Sequence, residues 1–111
     1  MSSSNSKIKK LATYIKNNPN DSFSKFALAL EFLKDDQLKK ARILFEDIRE
    51  KDPEYDGVYY HLGKLYERNG RLEDALAVYK KGVQVAANNK HKRNVKELKE
   101  ALAELEIEMQ N

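Results

Sequence analysis

Apolar residues recur along this chain at helical spacing, in six segments that short polar breaks separate. In the first segment, Ile8, Leu11 and Ile15 lie three or four residues apart, which places them on one face of an α-helix. The breaks contain proline, glycine, asparagine or aspartate, which end helices or start turns. No strand pattern competes with this one. The pattern predicts an all-α chain with helices over about 7–17, 22–34, 38–51, 56–68, 72–86 and 90–109.

Composition supports this prediction. The 111 residues are 41% apolar and 35% charged and include only four glycines and two prolines, which favours helices packed in one domain, expected over residues 7–111. Residues 1–6 are rich in serine and are expected to form a disordered tail. The chain has no cysteine and no apolar stretch long enough for a signal peptide or a membrane-spanning helix. We therefore expect a soluble, cytoplasmic protein without disulfides or thiolate chemistry.

A shift of 34 residues relates residues 22–55 to residues 56–89, and this repeat is the strongest pattern in the chain. Only three matched positions are identical, but side-chain class and size are preserved at many more. The matched positions include Leu28 with Leu62, Ala29 with Gly63, Phe32 with Tyr66, Leu38 with Leu72, Ala41 with Ala75 and Phe45 with Tyr79. Because size is preserved where helices must interlock, the repeat predicts two helical hairpins that pack in the same way.

This pattern resembles the tetratricopeptide repeat, a helical hairpin with the motif Trp-x2-Leu-Gly-x2-Tyr, then Ala-x3-Phe, then Pro. The second copy reads Tyr59-x2-Leu62-Gly63-x2-Tyr66 and then Ala75-x3-Tyr79. The first copy reads Lys25-x2-Leu28-Ala29-x2-Phe32, then Ala41-x3-Phe45 and then Pro53. The departures are Lys25 at the large aromatic position, Ile48 and Gly82 at a small alanine-type position, and Ala87 at the proline position. The resemblance implies a right-handed helical-hairpin solenoid (an α-α superhelix) whose core includes Tyr59, Tyr66 and Tyr79.

The helices that flank the two repeats are expected to complete this solenoid, because about three repeats are usually needed to bury its faces. The helix over 7–17 is expected to act as half a repeat, since Leu11 lies 34 residues before Phe45 and Pro19 lies 34 residues before Pro53. The helix over 90–109 does not follow the repeat and is expected to cap the second hairpin with a narrow apolar seam. The seam consists of Val95, Leu98, Leu102, Leu105 and Met109.

The resemblance also implies a non-catalytic protein–protein interaction module that binds a peptide or helix of a partner in a concave groove. In repeat one the groove positions carry Phe23, Phe26, Leu30 and Leu33, an apolar stripe at i, i+3, i+7 and i+10. In repeat two, the residues that face or flank the groove are Tyr60, His61, Lys64 and Arg68. Two explanations of the stripe stay open: another part of the chain covers it, or a partner molecule does.

Some members of the family hold the C-terminal carboxylate of a chaperone peptide with lysine and asparagine. The corresponding positions carry Phe26, Leu30, Gly57 and His61, so this clamp is not expected here. A peptide held by apolar contacts, with Lys64 and Arg68 meeting an acidic group, fits the residues better. The structural alternative is a homodimer that forms through the apolar stripe or the C-terminal helix.

The last helix is basic in its first half and acidic in its second, which opposes the helix dipole. The basic residues are Lys90, Lys92, Arg93, Lys96 and Lys99, and the acidic residues are Glu100, Glu104, Glu106 and Glu108. Either these charges form a solvated face, or the basic half, with Lys80 and Lys81, forms a patch for an acidic protein. The net charge of +3 is small, aromatic residues are not interleaved with the basic ones, and no nucleic-acid motif occurs, which argues against nucleic acid.

The sequence lacks the constellations that catalysis or metal binding requires. Neither of the two histidines, His61 and His91, has a cysteine, a second histidine or a paired carboxylate at ligand spacing. There is no nucleophile–base pair and no phosphate-binding loop. We therefore expect a protein that is not an enzyme and that uses no metal or cofactor.

Overall fold

The computed structural model describes residues 3–111, which form six α-helices and no strand. The helices are α1 (Ser3–Asn17), α2 (Ser22–Lys34), α3 (Leu38–Lys51), α4 (Gly57–Arg68), α5 (Leu72–Asn88) and α6 (Lys92–Gln110). The all-α prediction is therefore confirmed, and most predicted helix ends lie within two residues of the observed ones.

The start of α1 differs from the sequence-based expectation. Residues 3–6 are helical, whereas a disordered tail was expected over residues 1–6; residues 1 and 2 lie outside the described part. Serine and asparagine are poor helix formers in the interior of a helix, but they are favoured at its start, where their side chains can accept from free backbone N–H groups. A serine-rich segment in front of an amphipathic pattern is therefore compatible with the first turn of a helix.

The two hairpins end their first helix in the same way. Gly70, which follows α4, takes the left-handed conformation with φ of 73°, and the residue at the equivalent position after α2 is Asp36, with φ of 58°. The next residues, Arg71 and Gln37, donate their backbone N–H groups to the carbonyls of Tyr66 and Phe32, each at 2.8 Å. Glycine adopts this conformation without steric cost and aspartate tolerates it, so two different residues allow the same turn.

The chain packs as two compact units, one that ends at Asp52 and one that runs from Pro53 to Asn111. In the first unit, α2 packs against both α1 and α3. In the second unit, α5 packs against both α4 and α6, and α6 also contacts α4. The division between the units lies three residues from the predicted boundary between the repeats. That residues 7–111 form a single domain stays a prediction.

Helices α4 and α5 pack closely where Gly63 meets Tyr79. A methyl group added at Gly63 would lie 2.0 Å from the Cε1 atom of Tyr79. The Tyr79 ring is fully buried, and its hydroxyl donates a hydrogen bond to the carboxylate of Glu67. The equivalent positions of the first hairpin carry Ala29 and Phe45, both fully buried. The first hairpin thus accommodates a methyl group where the second has none.

A second close contact in the α4–α5 hairpin pairs Gly82 with Tyr59. A methyl group added at Gly82 would lie 2.5 Å from the Tyr59 Cβ atom, and the Tyr59 hydroxyl donates to the backbone carbonyl of Pro53 at 2.7 Å. The first hairpin carries Lys25 and Ile48 at these positions, a slimmer side chain and a bulkier one. The two departures from the repeat motif therefore compensate each other in volume.

Lys25 is 6% exposed, and its charge is paired inside the first unit. Its Nζ atom lies 2.9 Å from a carboxylate oxygen of Asp47, and the other oxygen of Asp47 lies 2.8 Å from Lys51 Nζ. Hydrogen bonds from Lys25 and Lys51 hold the pKa of Asp47 below its ordinary value. A buried ammonium needs such a partner, because an unpaired charge inside a protein is strongly destabilising.

We expect Gly63→Ala to lower the free energy of unfolding by about 1–3 kcal/mol, the usual cost of overpacking a core. Helix propensity alone would give a gain of about 0.5–1 kcal/mol for the same change. At 2.0 Å from a buried ring, the steric term should exceed that gain. Urea denaturation of the two proteins measures the difference.

The double variant Gly63→Ala/Tyr79→Phe is the matched control, because it reproduces the Ala29 and Phe45 pair of the first hairpin. Without the hydrogen bond to Glu67 the ring can shift, so this variant should recover part of the lost stability. A stabilising effect of Gly63→Ala on its own would contradict the account of this contact.

Candidate functional site

The apolar stripe on α2 is graded in exposure. Phe23 is 72% exposed, whereas Phe26, Leu30 and Leu33 are each partly buried. The opposite side of α2 is formed by buried residues that include Leu28 and Ala29. The buried side of α2 also includes Ser24, Lys25 and Glu31, so it is of mixed polarity, while the apolar stripe stays at least partly accessible to solvent.

Phe26 is part of the apolar stripe and also packs against the core of the first unit. Its ring lies 5.7 Å from the ring of Phe45, centroid to centroid, with a tilt of 58° between the planes. Phe45 is fully buried in the first unit. Removing the Phe26 ring would therefore disturb packing as well as any surface, and Phe23 is the position that reports on the surface alone.

The start of α2 is fixed by Asp21. Its carboxylate accepts from the backbone N–H of Ser24 at 3.2 Å and from the Ser24 hydroxyl at 3.0 Å, which caps the helix. The backbone hydrogen bond from Ser24 is the main reason why the pKa of Asp21 is lowered. The cap sets the direction of the first turn, from which Phe23 projects.

On α4, Tyr60 contacts both His61 and Lys64, and these three residues, with Arg68, are called the α4 cluster. The rings of Tyr60 and His61 meet edge to face at 5.7 Å between centroids, and the Lys64 ammonium lies 5.6 Å from the centre of the Tyr60 ring. Both contacts are favourable, since aromatic edges carry positive and aromatic faces negative charge. Arg68 follows one turn later and is exposed.

Glu67 holds this cluster to the core of the second unit. It accepts the hydrogen bond of the buried Tyr79 hydroxyl, and its Oε2 atom lies 3.9 Å from Lys64 Nζ. Burial and the neighbouring Glu67 carboxylate raise the pKa of Tyr79, so that hydroxyl stays protonated as a donor. Lys64 therefore has one long ion pair and one aromatic contact, an arrangement that leaves its ammonium able to meet an anion.

His61 is partly buried rather than open to solvent. Burial lowers its pKa below the ordinary value, and the Glu97 carboxylate on α6 opposes that shift to a smaller degree. The imidazole is therefore neutral at neutral pH. A neutral ring beside Tyr60 contributes packing, one N–H donor and one acceptor nitrogen, and no positive charge.

Asp56, which the sequence did not indicate as important, gathers three polar side chains at the start of α4. Asn94 donates to its carboxylate at 2.8 Å, Asn89 donates at 3.2 Å, and the His91 Nδ1 atom lies 2.9 Å away. Burial opposes the charge on Asp56, but the hydrogen bonds from Asn94, His91 and Asn89 outweigh it and lower the pKa of the carboxyl. The cluster ties the start of α4 to the turn before α6.

The predicted site residues lie on one face of α2 in the first unit and on α4 in the second. A polar cavity of about 190 Å³ in the first unit is lined by Asn20, Ser22, Lys25, Ile48, Lys51 and Asp52, none of which is a predicted site residue. Over residues 3–111 there is no group of three His, Cys, Asp or Glu side chains that could hold a metal ion. Within that range, moreover, none of the helices combines the length and apolar character that crossing a membrane requires.

Comparison with known proteins gives one family and several solved structures. The tetratricopeptide repeat family profile matches residues 32–102. A crystal structure of a tetratricopeptide repeat domain protein from Salinibacter ruber is 45% identical, covers 78% of this chain and 96% of its own, and superposes with a TM-score of 0.76. No curated protein matches the chain.

Two more distant structures share the fold. The Yersinia enterocolitica type III secretion translocator chaperone SycD is 14% identical, with a TM-score of 0.86 over 94% of this chain and 72% of its own. The TPR2B domain of yeast Sti1, solved as a complex with pHsp70, is 17% identical, with a TM-score of 0.81 over 91% of this chain and 81% of its own.

We expect the free energy of unfolding to fall as the pH is lowered from about 7.5 to about 5.5. Because the pKa of His61 is lowered in the folded state, the unfolded chain takes up a proton at a higher pH than the folded chain does. Stability is therefore fully present above the unfolded pKa near 6.5 and is lost below it. Chemical denaturation at several pH values measures this slope.

His61→Gln should remove most of this pH dependence, while His91→Gln, which alters the other histidine, should retain it. An unchanged slope in His61→Gln would show that burial of this imidazole does not control the response.

Proposed function

Because this chain belongs to the tetratricopeptide repeat family, we propose that it is a non-catalytic interaction module that binds a peptide or helix of a protein partner. The fold is commonly a protein-interaction module, and proteins of this family are generally not enzymes. The partner segment would carry apolar side chains for the α2 stripe and an acidic group for the α4 cluster. A cytoplasmic location, suggested by the lack of cysteine, is part of this proposal.

The observation that carries the proposal is the exposure of Phe23. A phenylalanine that is 72% exposed keeps most of its apolar surface in water, at a cost that burial against a partner would remove at roughly 25 cal/mol per Å². The partly buried Leu30 and Leu33 continue the same stripe along α2. Rigid apolar anchors on a helix are the usual source of binding energy in helix-in-groove and extended-peptide recognition.

The α4 cluster supports a role in orientation rather than in anchoring. Lys64 lies against Tyr60, 3.9 Å from Glu67, and Arg68 is exposed. An acidic group on the partner would gain two nearby cations, which fixes the direction of the bound segment more than it adds to affinity. His61, being neutral and partly buried, would contribute a ring edge.

The fold comparisons are compatible with this role. Yeast Sti1 provides a structure of this fold in complex with pHsp70, and SycD is a chaperone of type III secretion translocators. Both are less than a fifth identical to this chain, so they support an interaction module in general and not a particular partner.

A random-peptide phage library selected on the wild-type chain provides a defined probe. We expect the selected peptides to be apolar with an acidic residue, and to lose about tenfold or more in affinity for Phe23→Ala, as is typical when an interface anchor is truncated. Ile43→Ala on α3 is the matched control, because Ile43 is also a large exposed apolar residue, at 51%. Isothermal titration calorimetry with one synthetic peptide measures both.

Lys64→Ala should reduce the salt dependence of the same affinity, since it removes one cation near the acidic group.

If peptides bind Phe23→Ala and the wild type equally well, the α2 stripe is not the binding surface and the proposal fails.

A further inference from the structure

Helix α6 carries two oppositely charged halves. Residues 92–99 contain four basic side chains and one acidic side chain, a net charge of +3, while residues 100–110 contain four acidic side chains and no basic one, a net charge of −4. This order is unfavourable within the helix, because cations near its start and anions near its end oppose the dipole. Something outside the helix is needed to offset that cost.

The rest of the described chain does not offset it by pairing. Eight charged side chains of α6 are exposed and form no ion pair with any residue in the range 3–111. They are Lys92, Arg93, Lys96, Lys99, Glu100, Glu104, Glu106 and Glu108. Several like charges are also four residues apart, as in Lys92 with Lys96 and Glu100 with Glu104, which adds repulsion.

The side of α6 that faces away from α5 is open. Leu98, Ala101 and Leu105 are buried against the second unit, and a rotation of about 100° per residue places Lys96, Lys99 and Ala103 on the other side of the helix. We call this the outer face of α6. Ile107, which is 63% exposed, lies at its C-terminal end.

We propose that the outer face of α6 binds the same face of a second copy of this chain, with the two helices antiparallel. A two-fold interface must be self-complementary, and a helix with one basic and one acidic half meets that requirement only when its copy runs in the opposite direction. The basic half of each copy then lies over the acidic half of the other. The two helix dipoles also oppose each other, which favours the pair.

The spacing of the charges gives a register for this pair. A two-fold axis near residue 101 places the Lys96–Lys99 turn of one copy over the Glu104–Glu106 turn of the other. Helical rotation puts Lys99 and Glu106 on one flank of the outer face and Glu104 on the other flank. Lys96 lies near the middle of the face, on the side of Glu104. Ala103 lies between the flanks, where a small side chain allows close approach, and Ile107 can pack on the aliphatic stem of Lys96 of the second copy.

A second copy fits this face better than an acidic peptide does. An acidic peptide would satisfy the lysines but would be repelled by the four glutamates that follow on the same helix. The proposal uses α6 alone and does not depend on binding at α2 or α4.

Charge reversal tests the pairing directly. At about 100 µM protein and low salt, we expect the wild type to sediment as a dimer. Lys96→Glu/Lys99→Glu and Glu104→Lys/Glu106→Lys should each weaken dimerisation at least tenfold, because the first makes both halves of α6 negative and the second removes the net negative charge of the acidic half. Mixed in equal amounts, the two variants should form a heterodimer, and the chain with all four changes should dimerise again.

Lys9→Glu/Lys10→Glu is the control for net charge, because it reverses two exposed lysines on α1 and should leave the dimer intact. Far-ultraviolet circular dichroism checks that each variant remains helical, and the single changes Lys99→Glu and Glu106→Lys repeat the test if a double variant does not. A monomeric wild type, or a mixture of folded variants that stays monomeric, overturns the proposal. Dimers that persist in both double variants overturn it as well.

Discussion

The fold depends on a size match inside each helical hairpin, where a small residue on one helix meets an aromatic ring on the other. Gly63 and Tyr79 form this contact in the second hairpin, and Ala29 and Phe45 hold the equivalent positions in the first. The ring can bury its face only if the opposing helix offers no larger side chain. This constraint fixes the distance between the helices, and the remaining buried residues pack around it.

The two hairpins meet that constraint with different but matched residues. Where the second pairs Tyr59 with Gly82, the first has Lys25 and Ile48. Exchanging a ring for an ammonium in a buried position requires a counter-charge, and Asp47 supplies it at 2.9 Å. The repeat thus preserves the combined volume of facing side chains rather than their identity. This is why only three matched positions are identical although the two hairpins have the same architecture.

Sequence reasoning predicted the helices and the core because both follow a period. Tyr59, Tyr66 and Tyr79 are buried as the repeat indicated, and the two turns lie where the repeat places them. The cluster around Asp56 was not predictable, since its partners lie 33 to 38 residues away and polar pairs at such separations follow no period. The degree to which the α2 stripe is exposed could not be predicted either, because the periodicity of apolar residues does not show whether another helix covers the stripe.

Buried aromatic rings hold each unit together, whereas Phe23 lies at the surface, and comparing two aromatic truncations tests this difference most directly. Tyr66, which is 2% exposed with the Arg71 guanidinium 4.3 Å from its ring centre, belongs to the scaffold, and Phe23 belongs to the surface. By urea denaturation, Tyr66→Ala should cost about 3–5 kcal/mol and Phe23→Ala no more than about 0.5 kcal/mol. Equal costs for the two variants would place Phe23 in the packed core and contradict the account.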